Sequence, residues 1–139
     1  MGRDALKIYT AGPWADRPHV REIAQKLRDA GHEVTSRWLE VEDVIDDDPR
    51  RDEYLRQQAI HDLEDVIEAD GLVYVNSRLS EGKATELGFA MATLKPVIII
   101  GDRRNNVFLH LELPAFPTID DAIVWMNAPI DEIDVAPAE

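Results

Sequence analysis

The stretch DGLVYVNSRLSEGKATELGFAMATL, residues 70–94, indicates how this chain folds. Its segment Leu72–Val75 is short and rich in β-branched and aromatic residues, which is typical of a parallel strand covered on both faces. After a polar break, apolar residues recur at helical spacing, namely Ala84, Leu87, Met91 and Leu94. The stretch therefore predicts a buried strand, a turn and a helix, with Glu86 early in the helix. In open α/β sheets, ligands bind at this carboxyl edge of the strands.

Strands and helices alternate on both sides of this stretch. Further strands are predicted at 6–9, 33–36, 96–101 and around Phe116, and further helices from Pro18 to Gly31, from Arg51 to Glu68 and from Thr118 to Pro129. This pattern predicts an α/β fold, a single flavodoxin-like or Rossmann-like three-layer domain over residues 1–139, with about five parallel strands in the order 2-1-3-4-5. Residues 129–139 are polar and acidic and are interpreted as a tail.

Two helices carry apolar stripes that we expect to be buried. The first stripe comprises Val20, Ile23, Ala24 and Leu27, and the second comprises Leu55, Ala59, Leu63 and Val66. Asp62 lies on the flank of the second stripe. A carboxylate near a core-facing position is costly unless it has a partner or a use. Asp62 is therefore either a functional group or a structural one that caps a neighbouring loop.

The composition points to a small-molecule ligand. There is no cysteine, and the four histidines are scattered, so we expect no disulfide, metal or cofactor. A net charge of -13 argues against nucleic acid, because affinity for its backbone comes from Lys and Arg. No apolar run is long enough for a membrane span or a signal segment, which predicts a cytoplasmic protein. The acidic segment 40–53 is interpreted as a solvated loop rather than a divalent-cation site, since nothing fixes ligand spacing.

Common nucleotide motifs do not fit the chain. Gly82-Lys83 suggests a P-loop, but that pattern requires Gly at position 77 and Ser or Thr at position 84, where Ser77 and Ala84 stand. A GxGxxG fingerprint is absent from the first strand–helix turn, which argues against NAD. No nucleophile elbow suggests a Ser-His-Asp triad. What remains is a set of carboxylates and small polar groups at the predicted ligand edge.

Three motifs in this set occur in a recognisable order. They are Ile8-Tyr9-x-Ala11-Gly12-Pro13-Trp14 with Asp16-Arg17, then Asp62-Leu63-Glu64-(x4)-Ala69-Asp70, then Ser80-x-Gly82-(x3)-Glu86-Leu87-Gly88-x-Ala90. Together they resemble the nucleoside 2-deoxyribosyltransferase family and its hydrolytic relatives, the 2'-deoxynucleoside 5'-monophosphate N-glycosidases. The resemblance covers roughly residues 6 to 100.

The resemblance implies an enzyme that cleaves the N-glycosidic bond of 2'-deoxynucleosides or their 5'-monophosphates and passes the sugar to water or another base. Glu86 would be the nucleophile that forms a deoxyribosyl ester, and Asp62 would protonate the departing base. This division of roles matches retaining glycosidases, where one carboxylate faces the sugar and a second handles the leaving group. Tyr9 would orient Glu86. The residues expected to contact the substrate are Gly12, Pro13, Trp14, Ser80, Gly82 and Lys83.

The residues themselves leave alternatives open. Tyr9 is equally a core-edge tyrosine, Ser80 is equally a helix N-cap alone, and Lys83 is equally a solvated surface residue. For the whole protein, the alternatives are a non-catalytic nucleotide-binding or sensing domain and a plain interaction domain of the same fold. The first keeps the pocket without turnover, and the second binds no nucleoside.

Substrate and assembly expectations follow from the resemblance. Transferases acting on free nucleosides tend to have Asp six residues before the nucleophile, where this chain has Ser80. A hydroxyl at a helix N-terminus suits a phosphate, so we expect a preference for 5'-monophosphates, with water as the main acceptor. The Gly12-Pro13-Trp14 loop departs from that of the phosphate-reading hydrolases.

The family's active sites are commonly completed by a neighbouring subunit, which predicts a homodimer or larger, with Trp125, Phe108 and 130–135 as apolar candidates for the contact.

Overall fold

The computed structural model describes residues 4–43 and 46–129, so the predicted tail and its segment 130–135 lie outside the described residues. The regular elements are β1 (Lys7–Ala11), α1 (Arg17–Asp29), β2 (Glu33–Val34), α2 (Arg51–Glu68), β3 (Gly71–Val75), α3 (Glu81–Ala92), β4 (Val97–Ile100), β5 (Ala115–Phe116) and α4 (Ile119–Asn127). Short 3-10 turns occur at Trp14–Asp16, Arg37–Glu40 and Val107–His110.

The five strands form one parallel sheet in the order β2-β1-β3-β4-β5, which confirms the predicted α/β fold and strand order. β1 and β3 are neighbours, and Tyr9 pairs in register with Leu72. Because all the strands are parallel, their carboxyl ends meet at one edge of the sheet. The turn after β1 and the helix after β3 therefore meet at that edge.

The core forms where the helices cover the central strands. Every residue of the predicted α1 stripe is buried, and the positive φ of Gly31 (98°) lets the chain turn after that helix. At the start of α4, the Thr118 hydroxyl accepts a hydrogen bond from the backbone N–H of Asp121 at 3.2 Å. Thr118 is therefore the N-cap of α4, and the predicted start of this helix is confirmed.

The predicted stripe of α2 is wrong, although the bounds of that helix are confirmed. Of the four stripe residues only Val66 is buried, whereas Leu55, Ala59 and Leu63 are exposed. The reason is that the first half of α2 lines a cavity rather than the core. Helical periodicity shows that a face is apolar, but it does not show whether that face meets a core, a cavity or solvent.

Three smaller predictions also change. β1 extends to Ala11, two residues into the predicted turn, because it continues to pair with β3 as far as Tyr74. β2 has only two residues. Leu94 lies beyond the end of α3 in a left-handed conformation (φ 61°) and is 90% exposed. The apolar pattern in the sequence therefore extended past the true end of the helix. None of the helices within residues 4–43 and 46–129 has both the length and the apolar character needed to cross a membrane.

Candidate active site

The turn after β1 forms one wall of the site. A Cβ atom added to Gly12 would lie 2.5 Å from a methyl carbon of Val20, so only glycine lets this turn approach α1 so closely. The turn then presents Trp14, whose ring centroid lies 6.3 Å from that of Trp38. The Arg17 guanidinium lies 4.0 Å from the centroid of the Trp14 ring, in cation–π geometry.

Trp38 is a wall residue that sequence reasoning did not identify. Its indole N–H donates to the carbonyl of Thr10 at 2.9 Å, which fixes the ring against the end of β1. Arg17 donates to the carbonyls of Trp38 and Val41 and ties the two turns together. Trp38 belongs to none of the motifs, so only its aromatic character could have suggested a role. The two tryptophans form an apolar surface suited to a planar ring.

The chemical groups of the site come from three separate parts of the chain. The Tyr9 hydroxyl, from β1, donates to Glu86 Oε2 of α3 at 2.7 Å. The Asp62 carboxyl, from α2, lies beside the Glu86 carboxyl, and a hydrogen bond joins the two when one of them holds a proton. Asp62 Oδ1 is buried and has no hydrogen-bond partner among the described residues. The structure thus brings together the three residues for which catalytic roles were predicted.

Burial favours the protonated forms of both carboxyl groups. Burial is the main cause that raises the pKa of Glu86 to about 8; the Tyr9 hydrogen bond opposes the rise, and the Asp62 charge adds to it. Burial also raises the pKa of Asp62 to about 6, with a further contribution from the charge of Asp65 and an opposing one from Arg37. Burial and the nearby Glu86 charge raise the pKa of Tyr9 above its usual value, so it remains a hydrogen-bond donor.

Asp65, a carboxylate near Asp62 on the same helix, anchors α2. Asp65, one turn further along α2, accepts hydrogen bonds from the backbone N–H of Arg37 at 3.0 Å and from its guanidinium at 2.9 Å. This contact ties α2 to the turn after β2. The loop-capping role considered as the alternative for Asp62 thus belongs to Asp65. Asp62 remains available to the site, because its carboxyl interacts with that of Glu86.

The N-terminus of α3 forms the opposite wall. The Ser80 hydroxyl accepts from the backbone N–H of Lys83 at 3.2 Å, so Ser80 is the N-cap of α3. The alternative of a solvated surface Lys83 is wrong, because this residue is buried. Burial lowers the pKa of Lys83 to about 8, and the charge of Asp16 opposes that shift. The Lys83 amine donates to atoms of the chain itself, so it is not a free cation at the helix N-terminus.

These walls enclose a cavity of about 430 Å³. Seven of the nine predicted site residues line it, namely Gly12, Trp14, Asp62, Ser80, Gly82, Lys83 and Glu86, whereas Tyr9 and Pro13 do not. Residues that the sequence did not indicate also line the cavity, namely Trp38, Val41, Glu42, Asp43, Asp46, Arg51, Tyr54, Leu55, Gln58 and Ala59. Carboxylates outnumber cations in this lining. Within residues 4–43 and 46–129, no group of three or more His, Cys, Asp or Glu is arranged to hold a metal ion.

Comparison with known families gives one clear match. The sequence model of the family described as nucleoside 2-deoxyribosyltransferase matches residues 8–124. No curated protein matches the chain.

Solved structures with the same fold include enzymes. A 2-deoxyribosyltransferase from the psychrotolerant bacterium Bacillus psychrosaccharolyticus is 26% identical, with a TM-score of 0.68 over 96% of this chain and 99% of that chain. A conserved protein from Enterococcus faecalis V583 is 18% identical, with a TM-score of 0.64 over 86% and 95%. The CMP N-glycosidase BcmB from Clostridium botulinum is 16% identical, with a TM-score of 0.54 over 84% and 94%. The last two likenesses show the fold alone.

The raised pKa of Glu86 predicts that Glu86→Gln stabilises the protein at alkaline pH. Between the ordinary value of 4.5 and about 8, the unfolded chain has released the Glu86 proton while the folded protein retains it. The wild type therefore loses stability as pH rises through this window. Glutamine keeps an acceptor for Tyr9 and has no proton to lose. Because each unit of pKa difference corresponds to about 1.4 kcal/mol, the gain at pH 8 should reach a few kcal/mol and should vanish near pH 4.

Denaturant unfolding at pH 4, 6 and 8 measures this difference. Glu81→Gln is the matched control, since Glu81 is an exposed glutamate in the first turn of the same helix. Its effect should not grow with pH between 6 and 8. If the free energy of unfolding of Glu86→Gln changes with pH in the same way as that of the wild type, the Glu86 carboxyl does not retain its proton in the folded protein.

Proposed function

Because the chain belongs to the nucleoside 2-deoxyribosyltransferase family, we propose that it cleaves the N-glycosidic bond of 2'-deoxynucleosides or their 5'-monophosphates, with Glu86 as nucleophile. The deoxyribosyl group passes to water or to another base. The observation that carries this proposal is the arrangement of Glu86, held 2.7 Å from the Tyr9 hydroxyl and hydrogen-bonded to Asp62 beside an aromatic-walled cavity.

In the first step, a Glu86 oxygen attacks C1' of the sugar while the C1'–N bond breaks. The electron pair of that bond leaves with the base nitrogen, and the Asp62 carboxyl supplies the proton that neutralises it. A deoxyribosyl ester of Glu86 results. Tyr9 donates to the same carboxylate and keeps one oxygen directed, which favours attack by the other. Trp14 and Trp38 hold the base by stacking.

In the second step, the ionised Asp62 accepts a proton from water or from an incoming base. The acceptor attacks C1', and the ester bond breaks with its electron pair returning to Glu86. The starting state needs an ionised Glu86 and a protonated Asp62. Near neutral pH the hydrogen-bonded pair holds one proton, and its shift from Glu86 to Asp62 gives that state.

The charges of the lining support neutral nucleosides as the better substrates. The preference for 5'-monophosphates predicted from the sequence relied on Ser80, Gly82 and Lys83, and the Lys83 amine is already hydrogen-bonded within the chain. Carboxylates outnumber cations in the cavity lining, so the local charge disfavours a phosphate dianion. Arg51, the other cation of the described lining, is half-buried and lies 3.6 Å from Asp46.

Base release is the direct test of this function. The four deoxynucleosides and their 5'-monophosphates are incubated with the protein, and free base is followed chromatographically. We expect release from nucleosides, with a lower kcat/KM for monophosphates, and no release by Glu86→Ala. Binding without release by the wild type would indicate the non-catalytic binding domain instead. A higher kcat/KM for monophosphates would restore the preference predicted from the sequence.

The proposed proton transfer by Asp62 predicts a dependence on the leaving group. Asp62→Asn should slow cleavage of substrates with poor leaving groups on the order of 100-fold, because an amide supplies no proton. Good leaving groups, which depart as anions, should be affected much less. Rate constants for a series of bases of decreasing acidity measure the effect, with Glu68→Gln, an exposed change on the same helix, as control. An equal loss for all leaving groups would indicate a structural role.

We also propose that the chain assembles into a homodimer or larger species. The exposed face of α2 carries an apolar stripe of Ile60, Leu63 and Ile67, which are 41%, 38% and 57% exposed. Leu55, on the same helix, lines the cavity. Of the predicted candidates, Phe108 is 58% exposed, whereas Trp125 packs on Phe116 with ring centroids 5.5 Å apart. The α2 stripe is therefore the better contact surface, and it adjoins the site.

Light scattering on a matched pair of variants tests this assembly. Leu63→Lys places a charge in the stripe and should shift the protein toward monomer with reduced turnover. Val124→Lys, at an exposed apolar residue on α4, should leave the assembly and the turnover unchanged. A wild-type protein that is monomeric and fully active would contradict the proposal.

A further inference from the structure

Lys83 is a buried cation whose use is not explained by substrate binding. Its side chain is 2% exposed. The ammonium group donates to the carbonyl of Val75 at 3.2 Å, to Asn76 Oδ1 at 3.2 Å and to the carbonyl of Arg78 at 2.7 Å. It also lies 4.6 Å from the centroid of the Tyr74 ring. All three donors of the ammonium group are thus directed at the end of β3 and the loop that follows it.

This contact is the centre of a network that joins three loops at the carboxyl edge. Asn76 Nδ2 donates to the carbonyls of Asp102 and Arg104, at 2.8 and 3.1 Å, in the loop after β4. The Arg78 side chain donates to Asp16 Oδ2 at 3.1 Å, in the turn after β1. Through Asn76 and Arg78, the Lys83 ammonium connects the loop after β3 to the loops on both sides of it.

Helix stability alone does not favour a lysine here. Lys83 lies in the first turn of α3, where the helix dipole disfavours a cation. A buried ammonium also loses its hydration, and an apolar residue of similar size would avoid that loss. What an apolar residue cannot supply is three hydrogen bonds to acceptors spread over four residues of the loop. The useful property of Lys83 is therefore that its hydrogen bonds fix the conformation of the loop after β3.

We propose that Lys83 is a positioning residue for the deoxyribosyl transfer, a role that rests on the function proposed above. Its ammonium group clamps residues 75–78, and its backbone N–H binds the Ser80 cap, so one residue fixes both the loop and the start of α3. Glu86 lies one turn further along the same helix. The clamp sets the rotation of α3 and keeps the Glu86 carboxyl at hydrogen-bond distance from Tyr9, directed at C1' of the sugar.

The test compares Lys83→Met with Lys83→Arg and with a matched control, Lys95→Met. Lys95 also donates to a main-chain carbonyl, that of Ile67 at 2.9 Å, but it lies beyond the opposite end of α3. We expect Lys83→Met to lower kcat on the order of 100-fold for nucleosides and monophosphates alike, with little change in KM, because a displaced nucleophile slows chemistry more than binding. Lys83→Arg should recover part of this loss, and Lys95→Met should match the wild type.

Amide hydrogen exchange gives a second readout that does not depend on activity. Exchange in residues 76–82 should accelerate in Lys83→Met and remain unchanged in Lys95→Met. Should Lys83→Met fail to fold, Asn76→Ala removes one acceptor and the link to the loop after β4, and it should show the same pattern with a smaller loss of kcat.

Several outcomes would overturn the role. A Lys83→Met protein as active as the wild type would overturn this role alone. A rise in KM confined to monophosphates would instead make Lys83 a phosphate ligand. A wild-type protein that releases no base would overturn the proposed function, and this role with it.

Discussion

The hydrogen bond from Tyr9 to Glu86 is the contact on which the site depends. It joins β1 to α3 across the carboxyl edge of the sheet, and it forms only because β1 and β3 are adjacent. In the order 2-1-3-4-5, the last residues of β1 face the helix that follows β3. Any other placement of β1 would separate the two residues. The strand order of the sheet is therefore what brings Tyr9 and Glu86 together in the site.

The polar groups of the site lower the stability of the folded protein. Two carboxyl groups, a buried ammonium and a phenol lie where a folding core would hold apolar side chains. Each needs a partner, and the partners are supplied from separate elements: Tyr9 for Glu86, and loop carbonyls for Lys83. The cost is offset by the closely packed strands β1, β3 and β4 beneath. In open α/β folds, ligands bind at this edge of the sheet, where rigid elements hold the polar groups.

Much of the fold was predictable from the sequence, because the β-branched strands and the α1 stripe carry distinct periods. The grouping of Tyr9, Asp62 and Glu86 was predictable from the motifs. The orientation of α2 was not predictable. The spacing of apolar residues along a helix is the same whether they face a cavity, a core or another molecule. The clamp by Lys83 was not predictable either, because its acceptors are main-chain carbonyls that converge only after the loop folds. Trp38 gave no local signal.

The central claim, that Glu86 attacks the sugar, is tested most directly by mass spectrometry on acid-quenched reactions with a deoxynucleoside. The peptide that contains Glu86 should carry one additional deoxyribosyl group at early quench times, and the same peptide from Glu86→Ala should not. An adduct on a different residue, or steady base release with no adduct on any peptide, would contradict the account.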